Sequence, residues 1–243
     1  MAVGAVLDNE VTANGVFMRI VVDRSHRGRG RGRAMAAAIE PLLVERAPDV
    51  IECVVADDDD SSRAWAERRG FRLYNHMIRS RLDLTAFDAA AHRHAVDRGQ
   101  AGGIRFTPPD DPERLYELYA RLVVDTPDNL DAPGREHFRR MVEDREGAFV
   151  LVAGDGPVWA GLAIATPSGD DGAFNDFTGV LPEHRGRGIA TALKVLVSDE
   201  LARRGRRWVM TMNNARNGAM LAVNGSLGYR REAGRMFLRR TGK

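Results

Sequence analysis

From Ile189 onward, apolar residues recur at helical spacing through Leu193, Leu196, Val197 and Leu201 until Gly205, which predicts an amphipathic helix. Ahead of it, "AFNDFTGV" reads as a strand ending at Val180; behind it, "RWVMTMN" reads as a strand and "NGAMLAVNGSLG" as a short helix closed by Gly228. The tail "YRREAGRMFLRR" predicts a closing hairpin. The front of the chain repeats this order: "VFMRIVV", a helix through Met35, Ile39, Leu42 and Leu43, the strand "VIECVVA" and the helix "SRAWAERRG". Pro41 lies inside the first of these helices, where it removes a backbone donor and predicts a kink. Between the two series lie a strand at "GIRFTPP", helices at "PERLYELYARLVV" and "GREHFRRMVEDR", and strands at "AFVLVAG" and "WAGLAIATP". Strands mixed with helices in this way predict an α/β class with a mixed sheet.

The repetition is also literal. "VDRSHRGRGRGRA" begins at Val22 and "VLPEHRGRGIATA" at Val180, so His26 matches His184 at an offset of 184 − 26 = 158. Gly70 and Gly228, each followed by an aromatic residue, keep the offset, since 228 − 70 = 158. Low-complexity repetition would not hold its spacing over that distance, so the chain reads as two copies of one domain. The copies are unequal in front, because only 21 residues precede Val22. The expected organisation is a partial domain at 1–85, a linker at 86–103 rich in Ala, His and Gly, and a complete domain at 104–243. A shortened first copy would expose a sheet edge, to be covered by the second domain, by upstream residues or by another copy in a homodimer.

Charge narrows the classes further. Thirty-six Lys and Arg against 34 Asp and Glu leave a net charge of +2, which gives no general attraction to nucleic acid or membrane. The one cysteine, Cys53, sits in a strand-like run and reads as a buried bystander in a reducing compartment. No segment reaches the roughly 20 apolar residues of a membrane span, and the amino end lacks a secretory pattern, so the expected location is the cytoplasm. The run Asp57 to Asp60 points in several directions and leads into a helix, which suits a helix dipole better than a metal, and no metal is expected.

A strand that runs into glycines and then a helix makes an anion site: the first helical turn leaves N–H groups unpaired, and glycine lets phosphate approach the main chain. Gly186 and Gly188 would permit that approach, while Arg185 and Arg187 supply charge. "HRGRGIA" and "HRGRGRG" match the Arg-x-x-Gly-x-Gly/Ala signature of the GNAT acetyltransferase superfamily. More narrowly, "TGVLPEHRGRGIATALK" with "MNNARNGAMLAVNGSLGY" resembles the second domain of tandem GNAT proteins, the group that includes mycothiol synthase. The resemblance implies a tandem GNAT fold with one partial and one complete copy. It implies acetyl-CoA as acyl donor, its pyrophosphate held by main-chain N–H groups of Arg185, Gly186, Arg187, Gly188, Ile189 and Ala190. It also implies that the strand ending at Val180 splays from "WVMTMN", and that the Val180 N–H polarises the thioester carbonyl. Val22, Arg27, Gly28, Arg29, Gly30, Arg31 and Gly32 form the matching loop of the first copy, a second candidate cofactor site.

The proton-transfer groups are harder to place. Many members carry a tyrosine where this chain has Asn224 and, in the first copy, Ala66. An amide donates hydrogen bonds but transfers no proton at neutral pH, so Asn224 either binds the CoA sulfur or pantetheine or braces the last helix. Asp176 lies four residues before Val180 and would share its face in a regular strand, as a general base or a solvated aspartate. Thr178 lies on that face as well and could bind substrate. Asn213 and Asn217 either line the acceptor site or satisfy the strand-to-helix turn, and Tyr229 reads as a packing residue. His26 and His184 read as parts of their turns. The acceptor pocket would draw on Tyr116, Tyr119, Asp125, Asp128 and Asp131, which suits a cationic or polar amine. Three functions follow in order: N-acetylation of a small-molecule amine by direct attack, acyl-CoA binding by a sensor or scaffold without turnover, and nucleic-acid binding through the arginine-rich loop. The last would show steep salt dependence.

Overall fold

The computed structural model describes residues 1–9, 12, 14–127 and 134–242. The chain divides into two compact units, 1–77 with 233–243, and 78–232.

The first unit contains β1 (Ala2–Asn9), β2 (Gly15–Val22), α1 (Arg31–Arg46), β3 (Val50–Ala56) and α2 (Asp60–Glu67). It also takes the start of β4 (Arg72–Asp83) and most of the chain's last strand, Arg230–Thr241. β1 and β2 pair antiparallel, β2 and β3 parallel, and the last strand lies antiparallel on β3 from Arg235 opposite Ala56 to Thr241 opposite Val50. Ile39 and Leu43 of α1 bury against Val16, Ile51, Phe71 and Leu238. α1 continues as a helix through Pro41 to Arg46.

One expectation changes here, and one strand is additional to those expected. The tail is one strand of 12 residues, not a hairpin. Its only interior glycine, Gly234, lacks the positive φ that a tight two-residue turn needs, and its N–H is held by Asp57 Oδ1 at 2.7 Å. β1 was not legible, because Val3 and Leu7 face solvent at 57% and 52% exposure while Gly4 stands against α1. A Cβ on Gly4 would come within 2.5 Å of Ile39.

The second unit holds α3 (Arg93–Ala101), β5 (Ile104–Thr107), α4 (Pro112–Val124), α5 (Arg135–Phe138), β6 (Phe149–Asp155), β7 (Val158–Ser168), β8 (Gly172–Val180), α6 (Ile189–Arg203), β9 (Trp208–Asn214) and α7 (Gly218–Ser226). Its strands are ordered β9-β8-β7-β6-β5. Alternation along β7 assigns the two faces: Ala163 and Ala165 pack with α3 and α6, Leu162 and Ile164 with α4 and α5. Asp111 caps α4 by accepting from Glu113 N and Arg114 N, and Pro112 fits the first turn, where no N–H is needed. Residues 86–103, which composition predicts as a linker, carry α3 with Ala95, Val96 and Gly99 buried. Small residues in that helix allow close packing without a conspicuous apolar stripe.

Candidate active site

β8 and β9 begin as parallel neighbours and then part. Their register covers Gly172 opposite Trp208, Ala173 opposite Val209 and Phe174 opposite Met210, although β8 continues to Val180 and β9 to Asn214. The opening leads into a cleft of about 420 Å³, lined by Thr178, Gly179 and Val180, by the loop and first turn of α6, by Leu122, Asp125, Thr126 and Pro127, and by Asn217, Met220 and Val223.

Val180 stands at the mouth. Leu181 N donates to Ala160 O at 2.8 Å, toward β7. Successive N–H groups of a strand point to opposite edges, so the Val180 N–H and C=O face the parted side. The carbonyl accepts from Arg185 Nε at 3.1 Å, and Arg185 Nη2 binds the Asp125 carboxylate. The signature arginine thus ties down the strand end and leaves the neighbouring N–H for a ligand.

After a short turn at Pro182–His184, Gly186 and Gly188 both adopt φ of +76°, and Gly188 caps α6. A Cβ at either glycine would meet nothing within 4 Å, so it is the left-handed backbone that calls for glycine here. Ala192 is the first residue of α6 to return its N–H to the helix, at Gly188 O, which leaves the N–H groups of Ile189, Ala190 and Thr191 aimed at the cleft. This is a cradle for a phosphate group.

The first unit repeats the arrangement. β2 and β3 part after three pairs, Gly28 and Gly30 take φ of +73° and +76°, and Arg27 Nε donates to Val22 O at 3.2 Å. Arg29, Arg31 and Gly32 complete that loop and the first turn of α1. Asp59 both caps α2 and pairs with Arg27, while Asp57 binds His76 at 2.9 Å, which gives two of the four residues of the acidic run structural roles. Among the described residues no group of three or more His, Cys, Asp or Glu side chains is placed to hold a metal. Burial pushes the Cys53 thiol up to about 12.

Of the residues singled out by sequence, Val180, Arg185, Gly186, Gly188, Ile189, Ala190, Asn217 and Thr178 line the cleft. Asn217 also caps α7, accepting from Met220 N at 3.1 Å. Arg187 turns away to Asp155 and to Gly102 O. Asn224 is 2% exposed, with its amide bound to Asn213 Oδ1 at 2.8 Å. Tyr229 is buried in the α6 core. Tyr119 is buried against Phe138 and Phe177. Asp128 and Asp131 lie outside the described residues.

Asp176 departs from simple strand parity. The β7–β8 register shifts between Ile164 and Ala165, with Phe177 opposite the first and Asn175 opposite the second, so Asp176 is the additional residue of a bulge. The bulge interrupts the alternation that would align Asp176 with Val180. Asn175 and Thr178 face α6, whereas Asp176 meets Thr166 on the α4 face. Its Oδ2 is buried without a partner among the described residues, and burial raises its carboxyl above the usual range.

A buried polar cluster at the parting point was not read from sequence. Lys194 is 2% exposed and donates to Asn175 Oδ1; its Nζ lies 5.0 Å from the centre of the Tyr229 ring. Burial lowers its ammonium to about 7. Asn175 Nδ2 donates to Ile164 O at 2.8 Å and Phe177 O at 3.0 Å, and Thr211 Oγ1 donates to Asn175 O at 3.1 Å. The signal was present, because Lys194 lies three residues before Val197 and seven before Leu201, on the apolar stripe.

The sequence profile of the acetyltransferase (GNAT) family matches residues 2–71 and 113–223. A mycothiol acetyltransferase from Clavibacter sepedonicus is 29% identical over 224 residues, covering 90% of this chain and 69% of that protein. A GCN5-related N-acetyltransferase from Sphaerobacter thermophilus superposes with a TM-score of 0.77 at 18% identity, covering 100% of this chain and 77% of that one. A tandem GNAT protein from the clavulanic acid biosynthesis pathway gives 0.72 at 22% identity, with coverages of 99% and 79%.

Proposed function

The chain belongs to the acetyltransferase (GNAT) family, whose members move an acyl group from acetyl-CoA to an amine, and on that premise we propose that residues 78–232 acetylate a small-molecule amine by direct attack. The observation that carries this reading is the cleft itself, which joins the parted end of β8 to the glycine loop and first turn of α6. A donor whose pyrophosphate sits on the α6 amides would run its pantetheine arm between β8 and β9, with the thioester carbonyl at the Val180 N–H. That N–H stabilises negative charge as it develops on the carbonyl oxygen.

An amine must lose a proton before it attacks. We assign that proton to Asp176, through water, because its free oxygen and raised carboxyl make it a stronger base than an exposed aspartate. Asn224, bound to Asn213, is assigned a bracing part between α7 and β9. The same locked amide, which transfers no proton at neutral pH, favours as a second reading acyl-CoA binding without turnover. The first unit, with its matching loop from Val22 to Gly32, is proposed as the partial copy.

Thiol release from acetyl-CoA, measured over a panel of amines, aminoglycosides and amino-acid conjugates, tests the proposal. Turnover with at least one amine, abolished in Gly188→Trp, is the expected result. Binding of acetyl-CoA with no turnover on any amine would leave the sensor reading in its place.

A further inference from the structure

The cluster beneath the cleft has a forced polarity. Both amide hydrogens of Asn175 are spent on the carbonyls of Ile164 and Phe177, so Asn175 Oδ1 can only accept. It accepts from Lys194 Nζ and from Thr178 Oγ1, the latter at 3.1 Å. A hydroxyl owns one hydrogen, and that of Thr178 is thereby committed. Among the described residues nothing donates to Thr178 Oγ1, so the group it brings to the cleft wall is an acceptor.

Comparison of the two units separates this arrangement from the needs of the fold. Val22 and Val180 are 180 − 22 = 158 apart, but the paired stretches open at Gly15 and Gly172, which are 172 − 15 = 157 apart, so β8 carries one residue more than β2. That residue is the bulge, and the β1–β2 register runs without one. The counterparts of Asn175, Thr178, Lys194 and Thr211 are accordingly Met18, Ile20, Ala36 and Cys53. The first unit parts its strands after the same three pairs with none of these polar groups. A buried ammonium with no carboxylate partner costs stability, so the second unit keeps a feature that the splay itself does not require.

Position along the slot points to the ligand. From the glycine loop inward, Val180 comes first and Thr178 lies two residues deeper, beyond the place assigned to the reacting carbonyl. We propose that Thr178 is a specificity-determining residue that accepts a hydrogen bond from an N–H of the acceptor amine, and that Asn175 and Lys194 are the positioning pair that fixes its polarity. This rests on the acetyl-transfer reading above. It selects primary or secondary amines that keep an N–H for Thr178, and it disfavours acceptors that present only lone pairs at that point.

The test uses the full chain, acetyl-CoA and the best amine of the panel. Thr178→Val, which keeps the shape and removes the hydroxyl, is expected to lower kcat/KM for the amine about tenfold while the acetyl-CoA Kd stays within about twofold. Thr178→Ser is expected to restore most of the loss. Lys194→Met is expected to lower kcat/KM in the native background and to add nothing in the Thr178→Val background. A Thr178→Val enzyme with unchanged kcat/KM, a loss appearing in the acetyl-CoA Kd instead, or additive effects of the two substitutions each overturns the inference alone. A native chain that turns over no amine overturns the acetyl-transfer reading and this inference with it. If Lys194→Met does not fold, the Thr178 pair decides.

Discussion

Arg185 and Val180 are joined side chain to backbone, Nε to carbonyl oxygen at 3.1 Å, while the other end of the same guanidinium holds Asp125 beyond α4. A lysine offers one point charge and cannot span both partners. Arg185→Lys is therefore expected to free a carboxylate facing an anionic ligand and to weaken acetyl-CoA about tenfold, measured by titration calorimetry. An unchanged Kd would show that the strand end needs no such tie.

Gly188 should be sensitive to conformation rather than to volume. Nothing stands where its Cβ would be, yet φ is +76°. Gly188→Ala is expected to cost about 1–2 kcal/mol, and Gly188→Asn less, because asparagine tolerates the left-handed region. Thermal melts of the two variants give the order.

Asp176→Asn removes the proposed proton acceptor and keeps the shape. kcat is expected to fall about 100-fold. The native acid limb of kcat/KM should lie above the ordinary 3.8, because burial raises this carboxyl, and the limb should vanish in the variant. A limb that persists unchanged would assign the proton to another group.

Lys194 makes a signed prediction for stability. Its folded value, about 7, lies below the ordinary 10.5, so between these values the unfolded chain binds more protons and stability rises with pH. The penalty is fully present below about pH 7 and is relieved toward pH 10.5. The melting temperature of Lys194→Met should exceed that of the native chain most at pH 6, and the gap should narrow by pH 10. A gap independent of pH would mean that Lys194 does not titrate in this range.

Much of this was legible in the residues. The offset between His26 and His184 exposed the duplicated loop, and helical spacing from Ile189 to Leu201 placed α6 behind it. What sequence could not supply was anything set by register. The bulge at Asp176 changes which face a carboxylate takes, and no local propensity announces it. α3 escaped because alanine and glycine pack closely without a strong apolar period. The tail reads as a hairpin in sequence, whereas it runs as one strand in which the Gly234 N–H is held by Asp57, a partner far away in the chain. Lys194 was hidden by its own chemistry, since lysine on an apolar stripe ordinarily reaches out to water.

The strand Arg230–Thr241 also sets a timetable. β3 has its antiparallel neighbour only when Arg235 to Thr241 have been made, long after Ala56. At synthesis rates of about 5–20 residues per second, the first unit waits roughly ten to forty seconds for the strand that covers β3. Through that interval β3 offers unpaired backbone to any passing strand. Residues 1–77 are thus made before the second unit and completed only after it, because 233–243 belong to their fold.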